Sequence, residues 1–168
     1  DTHFSNPHGL HDVQNYSTAR DLAILGVQLR REFPQFAHYF TTEAIDTGNG
    51  RKPDRNTNTL LGRYDGTDGM KTGFVCASGF NLVSSATRKG RSVLSVVLGE
   101  VSDETRAIKS AQLLEDGFSN NGANSATLAS LQRYGQNNNQ PTDLRAQICN
   151  QDAMASRVGE RYPDGQLK

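Results

Sequence analysis

The sequence predicts an α/β fold of the α+β kind, in which helices and strands occupy separate stretches of the chain. Three strand-like segments follow one another between residues 69 and 100, and an amphipathic helical pattern lies on each side of them. The length of 168 residues suits one domain. The 18 Lys and Arg balance the 18 Asp and Glu, so charge provides no general attraction to nucleic acid or to an anionic membrane. No apolar run approaches the ~20 residues of a membrane span.

The first elements are a loop and a helix. Residues 1–16 contain turn formers and no sustained apolar period, which predicts a loop. Ser17 or Thr18 can cap a helix that runs to Phe33, and Pro34 ends it. We expect this helix to bury the side chains that fall on one of its faces, which are Leu22, Leu25, Leu29 and Phe33.

The middle of the chain is predicted to be mainly strands. Residues 38–47 are rich in aromatic residues and Thr, which predicts a strand, and a Gly- and Asn-rich turn follows over 48–59. Three further strands are predicted from residue 69 to residue 100, with a tight turn at Lys89-Gly90 between the last two. The nearly continuous apolar run from Val93 to Leu98 is typical of a strand covered on both faces.

A second helix and a polar tail complete the chain. The helix is predicted to begin at Ser102 or Asp103. Its apolar stripe consists of Ala107, Ala111, Leu114 and Phe118. Beyond it the composition becomes rich in Asn and Gln, with the run QNNNQ at 136–140. We therefore divide the chain into residues 1–119 and a polar tail, residues 120–168.

The residues with the most informative chemistry are Lys71, Thr72 and Gly73. On a strand, they place an ammonium and a hydroxyl beside a position where no side chain obstructs a ligand. Such a site suits a carboxylate. K-T-G on a strand is also one of the motifs of the penicillin-binding proteins and serine β-lactamases.

Five stretches of the sequence resemble the D-alanyl-D-alanine carboxypeptidases, or low-molecular-mass penicillin-binding proteins. They occur in the order typical of that family and lie within residues 1–118. The stretches are residues 1–10, 16–21, 58–61, 68–74 and 77–87. The resemblance implies a mostly antiparallel sheet flanked by helices, as in penicillin-binding proteins and serine β-lactamases, which is incomplete in this chain.

The resemblance also implies a reaction and a site. Enzymes of this family remove the terminal D-Ala of the peptidoglycan pentapeptide through a serine acyl-enzyme, and β-lactams acylate the same serine. By this resemblance Lys71 and Thr72 are catalytic: Lys71 supplies positive charge beside the serine, and Thr72 binds the terminal carboxylate. The predicted substrate-binding set is Lys71, Thr72, Gly73 and Phe74, with the backbone N–H of Phe74 in the oxyanion hole. The implied partners are the pentapeptide stem and β-lactams.

The nucleophile of the family is missing from this sequence. Its motif is S-x-x-K, and no Ser here is followed three residues later by Lys: Ser17 leads to Arg20, and Ser85 leads to Arg88. Arg cannot be deprotonated in a protein and so cannot replace that base. We therefore expect the serine on an upstream segment or a second chain, and expect these 168 residues to be inactive by themselves.

Two alternatives remain open at this point. The chain could be a peptidoglycan-stem binding module that lacks the nucleophile, or part of a serine β-lactamase, which shares K-T-G but not the flanking stretches. We expect no cofactor. We also expect no metal, because His3, His11 and His38 have no carboxylate or Cys at ligand spacing.

The two cysteines are either one long-range disulfide or two buried thiols. The resemblance implies a periplasmic or other extracytoplasmic location, where cysteines in one chain tend to pair. It therefore favours a disulfide between Cys76 and Cys149.

Overall fold

A three-stranded antiparallel sheet lies at the centre of the computed structural model, which describes residues 1–48, 50–120 and 140–160. The order of its strands is β3-β4-β5, so β3 and β5 are its edges, and β1 and β2 form a separate small hairpin. The strands are β1 (Ala44–Ile45), β2 (Asp54–Arg55), β3 (Thr67–Val75), β4 (Gly79–Arg88) and β5 (Arg91–Glu100). The three consecutive strands predicted from the sequence are confirmed, as is the turn at Lys89-Gly90.

Helices pack on this sheet. The helices are α1 (Ala19–Glu32), α2 (His38–Thr41), α3 (Asp103–Ser119), α4 (Arg145–Ile148) and α5 (Gln151–Arg157), with 3-10 turns at Pro34–Phe36 and Val158–Glu160. Thr18 caps α1 by accepting a hydrogen bond from Asp21, as its sequence predicts. Among these helices none has the length and apolar character needed to cross a bilayer.

Helices α1 and α3 both pack on β5, and a glycine brings each helix close to the strand. A Cβ atom on Gly26 of α1 would lie 2.8 Å from Leu94, and one on Gly117 of α3 would lie 2.5 Å from Val93. Leu94 and Val93 are adjacent, so their side chains point to opposite faces of the sheet. The prediction that both faces of this strand are covered is therefore confirmed.

The apolar stripe predicted for α1 is wrong in part. Leu25 is 40% exposed and Phe33 is 45% exposed, whereas the buried residue of the helix is Gly26. The face that meets the sheet carries Gly26 and, one turn later, Arg30. This contact face consists of a glycine and an arginine. The spacing of large apolar side chains in the sequence therefore does not indicate it.

The strand predicted over residues 38–47 is also largely wrong. His38–Thr41 is helical, and only Ala44–Ile45 pairs as a strand. The rings of Phe33, Phe36 and Tyr39 recur every three residues and stack on successive turns, at centroid distances of 6.4 and 6.1 Å. The hydroxyls of two threonines, Thr41 and Thr42, donate to the carbonyl of His38 and support the turn. Local spacing and side-chain hydrogen bonds thus override the composition.

The hydrophobic core lies between α3 and the sheet. Ser102 caps α3 in a capping box with Thr105. The core comprises Leu60, Leu82, Ala86 and Leu114, and against it pack Tyr64, Val93, Ala107, Ala111 and Phe118. The apolar stripe predicted for this helix is confirmed.

Residues 140–160 of the predicted tail form α4 and α5 beside the end of the sheet. A disulfide joins Cys76 to Cys149, as expected from the resemblance. The backbone N–H of Leu144 donates to the carbonyl of Ala77, and Ile148 is 1% exposed. Most of the Asn- and Gln-rich run at 136–140 lies outside the described residues.

Candidate active site

The K-T-G motif lies on β3, which is an edge strand of the described sheet. Lys71 and Gly73 are exposed, whereas Thr72 is 9% exposed. Lys71 and Thr72 are paired in register with Val83 and Leu82 of β4, so a single partner strand holds them. The opposite edge of β3 is therefore available, within the part of the chain that is described, for an extended ligand to pair with.

Lys71 presents its ammonium near the backbone of its own strand. Nζ donates to the carbonyl oxygen of Thr72 at 2.6 Å. An ammonium has three donors, so two remain for a ligand. None of the ion pairs formed within residues 1–48, 50–120 and 140–160 includes Lys71. Its positive charge is thus not neutralised by a neighbouring carboxylate there.

The hydroxyl of Thr72 is held by a second threonine. The Oγ1 atoms of Thr57 and Thr72 are 2.5 Å apart, and either can be the donor. Each hydroxyl has one proton and can accept as well. One of the two protons is used between the threonines, and the other remains for a ligand oxygen. Thr57 therefore orients the group that the sequence predicts to bind a carboxylate.

A buried arginine, Arg106 of α3, supports this threonine pair. It donates to the carbonyls of Thr57 at 3.1 Å and Asn81 at 3.5 Å, and it forms an ion pair with Asp103. Arg106 is 3% exposed, and burial lowers its pKa to about 10, so the side chain remains charged at neutral pH. Neither Thr57 nor Arg106 is predicted as a site residue from the sequence. The only signal was the spacing of Asp103 and Arg106 in the first turn of a predicted helix, which is common on exposed surfaces.

A polar network fixes the beginning of β3. Arg30 of α1 binds both carboxylate oxygens of Asp68 at 2.8 Å, and Ser85 and Thr87 each donate to the same carboxylate at 2.6 Å. Burial opposes ionisation of Asp68, but the hydrogen bonds from Arg30, Ser85 and Thr87 outweigh it and lower the pKa of the carboxyl. This network connects α1 and β4 to Asp68, which lies three residues before Lys71 on β3.

Asn58 also fixes this strand. Its side-chain amide donates to the carbonyl of Gly69 at 2.9 Å, and its side-chain oxygen accepts from the backbone of Leu60 at 3.2 Å. Asn58 is only 2% exposed, so these hydrogen bonds are shielded from water. The strand that carries Lys71 is therefore anchored at Gly69 as well as at Asp68.

The far end of the predicted site is aromatic. Phe74 is 47% exposed, and its ring lies 4.2 Å, centroid to centroid, from the ring of Phe80, its partner on β4. The structure thus places Lys71, Thr72, Gly73 and Phe74 in sequence along one edge strand. In the described ranges, no three His, Cys, Asp or Glu side chains cluster in a way that could hold a metal ion.

The fold and motif define a class, the penicillin-binding DD-peptidases. The structure resembles that of a penicillin-binding protein from Listeria monocytogenes in its cefotaxime-bound form, with a TM-score of 0.62 and 32% identity. The alignment covers 70% of this chain and 48% of that one. A DD-transpeptidase from Streptomyces gives a TM-score of 0.62 at 30% identity, with the same two coverages.

Sequence comparison defines the family. Residues 1–102 match the D-alanyl-D-alanine carboxypeptidase family, and the chain belongs to it. It is 37% identical over 120 residues to the D-alanyl-D-alanine carboxypeptidase DacA of Haemophilus influenzae, which covers 71% of this chain. It is 38% identical over 117 residues to DacC of Escherichia coli, which covers 70% of it. The chain spans 30% and 29% of the length of these two relatives.

Proposed function

We propose that this chain is the K-T-G-bearing part of a serine-type D-alanyl-D-alanine carboxypeptidase. The complete enzyme removes the terminal D-Ala from the peptidoglycan pentapeptide and is acylated by β-lactams. The observation that carries the proposal is the edge strand β3, which bears the exposed ammonium of Lys71 and, at the next residue, the Thr72 hydroxyl that Thr57 orients. We infer the reaction from membership of the D-alanyl-D-alanine carboxypeptidase family.

The roles of the residues follow from their chemistry. The terminal carboxylate of the stem accepts a hydrogen bond from the Thr57 and Thr72 pair and is attracted by the Lys71 ammonium. The peptide itself pairs with the free edge of β3, as extended peptides commonly do with exposed strands. Gly73 lets this backbone approach closely. The N–H of Phe74 stabilises the oxyanion that develops when the D-Ala-D-Ala carbonyl is attacked.

The attacking group comes from outside these 168 residues. Acyl transfer needs a serine with a base within hydrogen-bond reach, and no Ser here has a Lys at the required spacing. The proposal places that S-x-x-K serine upstream of Asp1, on the side of β3 that is open in the described structure. Lys71 then completes the electrostatic environment of a serine that another segment supplies.

The proposed location is extracytoplasmic. The Cys76–Cys149 disulfide supports it, because disulfides persist in oxidising compartments and are rare in the cytosol. The substrate, a peptidoglycan stem, is found in the same compartment.

The proposal is tested by measuring release of D-Ala from a pentapeptide stem by the full-length protein. We expect Lys71→Ala to lower kcat/KM by ~10²- to 10³-fold, the usual cost of removing one preorganised electrostatic group. Lys71 is exposed and outside the core, so the midpoint of thermal unfolding should stay nearly unchanged.

Lys109→Ala is the matched control, since Lys109 is an exposed lysine on α3. It should retain wild-type activity. Full activity of Lys71→Ala would remove this lysine from the site. A full-length protein that binds the stem but never releases D-Ala would instead identify a binding module.

A further inference from the structure

Residues 140–160, the C-terminal arm, lie beyond the 1–102 range that matches the family, yet they are attached to the strand that carries the K-T-G motif. The attachment point is the turn that joins β3 to β4. Cys76, the first residue after β3, is bonded to Cys149 of the arm. The next residue, Ala77, accepts a hydrogen bond from the backbone N–H of Leu144 at 2.9 Å.

Arg157 connects the arm to the sheet a second time. Its guanidinium donates to the carbonyl of Val101, just after β5, at 3.1 Å and to that of Ile148 at 2.7 Å. The same guanidinium lies 5.4 Å from the centroid of the Phe80 ring, within the range of a cation–π interaction. Ile148 is 1% exposed, so the arm is packed at this point and does not merely touch the sheet.

The contacts continue from Phe80 to the site. The Phe80 ring lies 4.2 Å from the ring of Phe74, and the two residues are paired in register across β3 and β4. A continuous set of contacts therefore runs from Arg157 through Phe80 to Phe74. The backbone N–H of Phe74 is the group to which the proposed function assigns the oxyanion.

We propose that the C-terminal arm positions the oxyanion-binding end of β3, with Arg157 as a positioning residue and the Cys76–Cys149 disulfide as its attachment. This inference rests on the proposed function. The physical need is plain: β3 has one partner strand in the described sheet, and its last residues adjoin a turn. A donor aimed at a developing oxyanion must be held within about 0.5 Å of its productive position. Arg157 touches no reacting atom and acts through Phe80.

The test is the acylation of the full-length protein by a fluorescent penicillin, measured over a range of penicillin concentrations. Arg157→Met keeps a long side chain but loses both hydrogen bonds and the cation. We expect the maximal acylation rate to fall by ~10-fold or more, since a small misplacement of a catalytic group is costly. The half-saturating concentration should change by less than about twofold, because Lys71 and Thr72 are untouched.

Arg145→Ala is the matched control. Arg145 belongs to the same arm, its side chain is 63% exposed, and its ion pair is with Asp143 of the arm itself. It should acylate like the wild type. Amide hydrogen exchange in the peptide that contains Phe74 should be faster in Arg157→Met and unchanged in Arg145→Ala, while peptides of α1 should exchange at the wild-type rate in both variants. General destabilisation would instead speed exchange in the α1 peptides as well.

The outcomes separate the two proposals. A wild-type protein that is never acylated contradicts the proposed function and this inference with it. A wild type that is acylated, with Arg157→Met equal to it in maximal rate, overturns the inference alone. If Arg157→Met does not fold, the double variant Cys76→Ala with Cys149→Ala takes its place, and an unchanged maximal rate there overturns the inference equally.

Discussion

At the scale of single residues, the site depends on side chains that hold other side chains. Lys71 and Thr72 present the chemistry, but Thr57 orients the hydroxyl of Thr72, and Arg106 in turn binds the carbonyl of Thr57. The ammonium of Lys71 is left without a carboxylate partner in the described structure, whereas the buried Arg106 is neutralised by Asp103. The exposed ammonium of Lys71 can therefore attract an anion.

The Asp68 network gives a prediction about stability and pH. The pKa of Asp68 is lowered from its ordinary value of 3.8, so the folded protein favours the ionised carboxylate more strongly than the unfolded chain does. Its contribution to stability is present above pH 3.8 and is lost as pH falls through the lower folded-state pKa. Asp68→Asn should lower the free energy of unfolding by about 1.5–3 kcal/mol at pH 7.

Urea unfolding of both proteins between pH 7 and pH 2.5 measures this difference, which should narrow below about pH 4. Asp65→Asn is the control, because the side chain of Asp65 is 87% exposed; it should change stability by no more than about 0.5 kcal/mol. A difference between wild type and Asp68→Asn that stays constant with pH would show that the network does not depend on the charge of Asp68.

At the scale of secondary-structure elements, the sheet is held between two helices that approach β5 at glycines. Gly26 brings α1 against Leu94, and Gly117 brings α3 against Val93. Alanine favours a helix over glycine by about 0.8–1 kcal/mol, whereas an extra methyl in a close-packed contact costs about 1–3 kcal/mol. The balance between these effects depends on how easily the neighbouring side chain can move.

The overpacking cost less the helix gain leaves about 0–2 kcal/mol, and we expect Gly117→Ala to destabilise the protein by about 1–2 kcal/mol, in the upper part of that range. Its new methyl would lie 2.5 Å from a branch of Val93, which is stiff because it is β-branched. Gly26→Ala should cost less, because the nearest atom is the end of the Leu94 side chain. Denaturant unfolding measures both. Gly159→Ala is the control, since nothing lies within 4 Å of its added Cβ. A Gly117→Ala protein as stable as the wild type would contradict the packing.

The elements that could be predicted from the sequence are those with strong local patterns. The three strands alternate or run apolar with turn residues between them, and α3 has both a cap and a regular stripe. The strand expected over residues 38–47 is wrong because the rings of Phe33, Phe36 and Tyr39 recur every three residues, which favours helical turns over the strand that the composition indicates. The predicted contact face of α1 is wrong in part because the closest contact with the sheet is made by Gly26, which has no side chain to contribute to an apolar pattern. The division of the chain at residue 119 stays a prediction.

The candidate site was predictable to a similar extent. K-T-G is a short motif of consecutive residues, so the sequence shows it directly. Thr57 and Arg106 lie 15 and 34 residues away from Thr72, and only the folded chain brings them to it. The Cys76–Cys149 pairing was expected only because the resemblance implies an oxidising compartment, where two cysteines in one chain tend to pair.

At the scale of the whole molecule, the proposed function gives this chain one side of an active site. It spans 30% and 29% of the length of two curated carboxypeptidases, and it contains the K-T-G motif on an edge strand but no S-x-x-K serine. The disulfide and a backbone hydrogen bond attach the C-terminal arm to the turn that follows β3, the strand that bears the motif. The central claim is therefore that the nucleophile and the K-T-G motif come from different parts of one protein.

The most direct test of this claim is to acylate the full-length protein with penicillin, digest it and map the adduct by mass spectrometry. We expect one adduct per protein, on a serine upstream of Asp1 that is followed three residues later by Lys. Residues 1–168, prepared alone, should form no covalent adduct, because a lasting complex requires an activated serine. An adduct on any serine within residues 1–168 would contradict the account and show that this chain contains its own nucleophile.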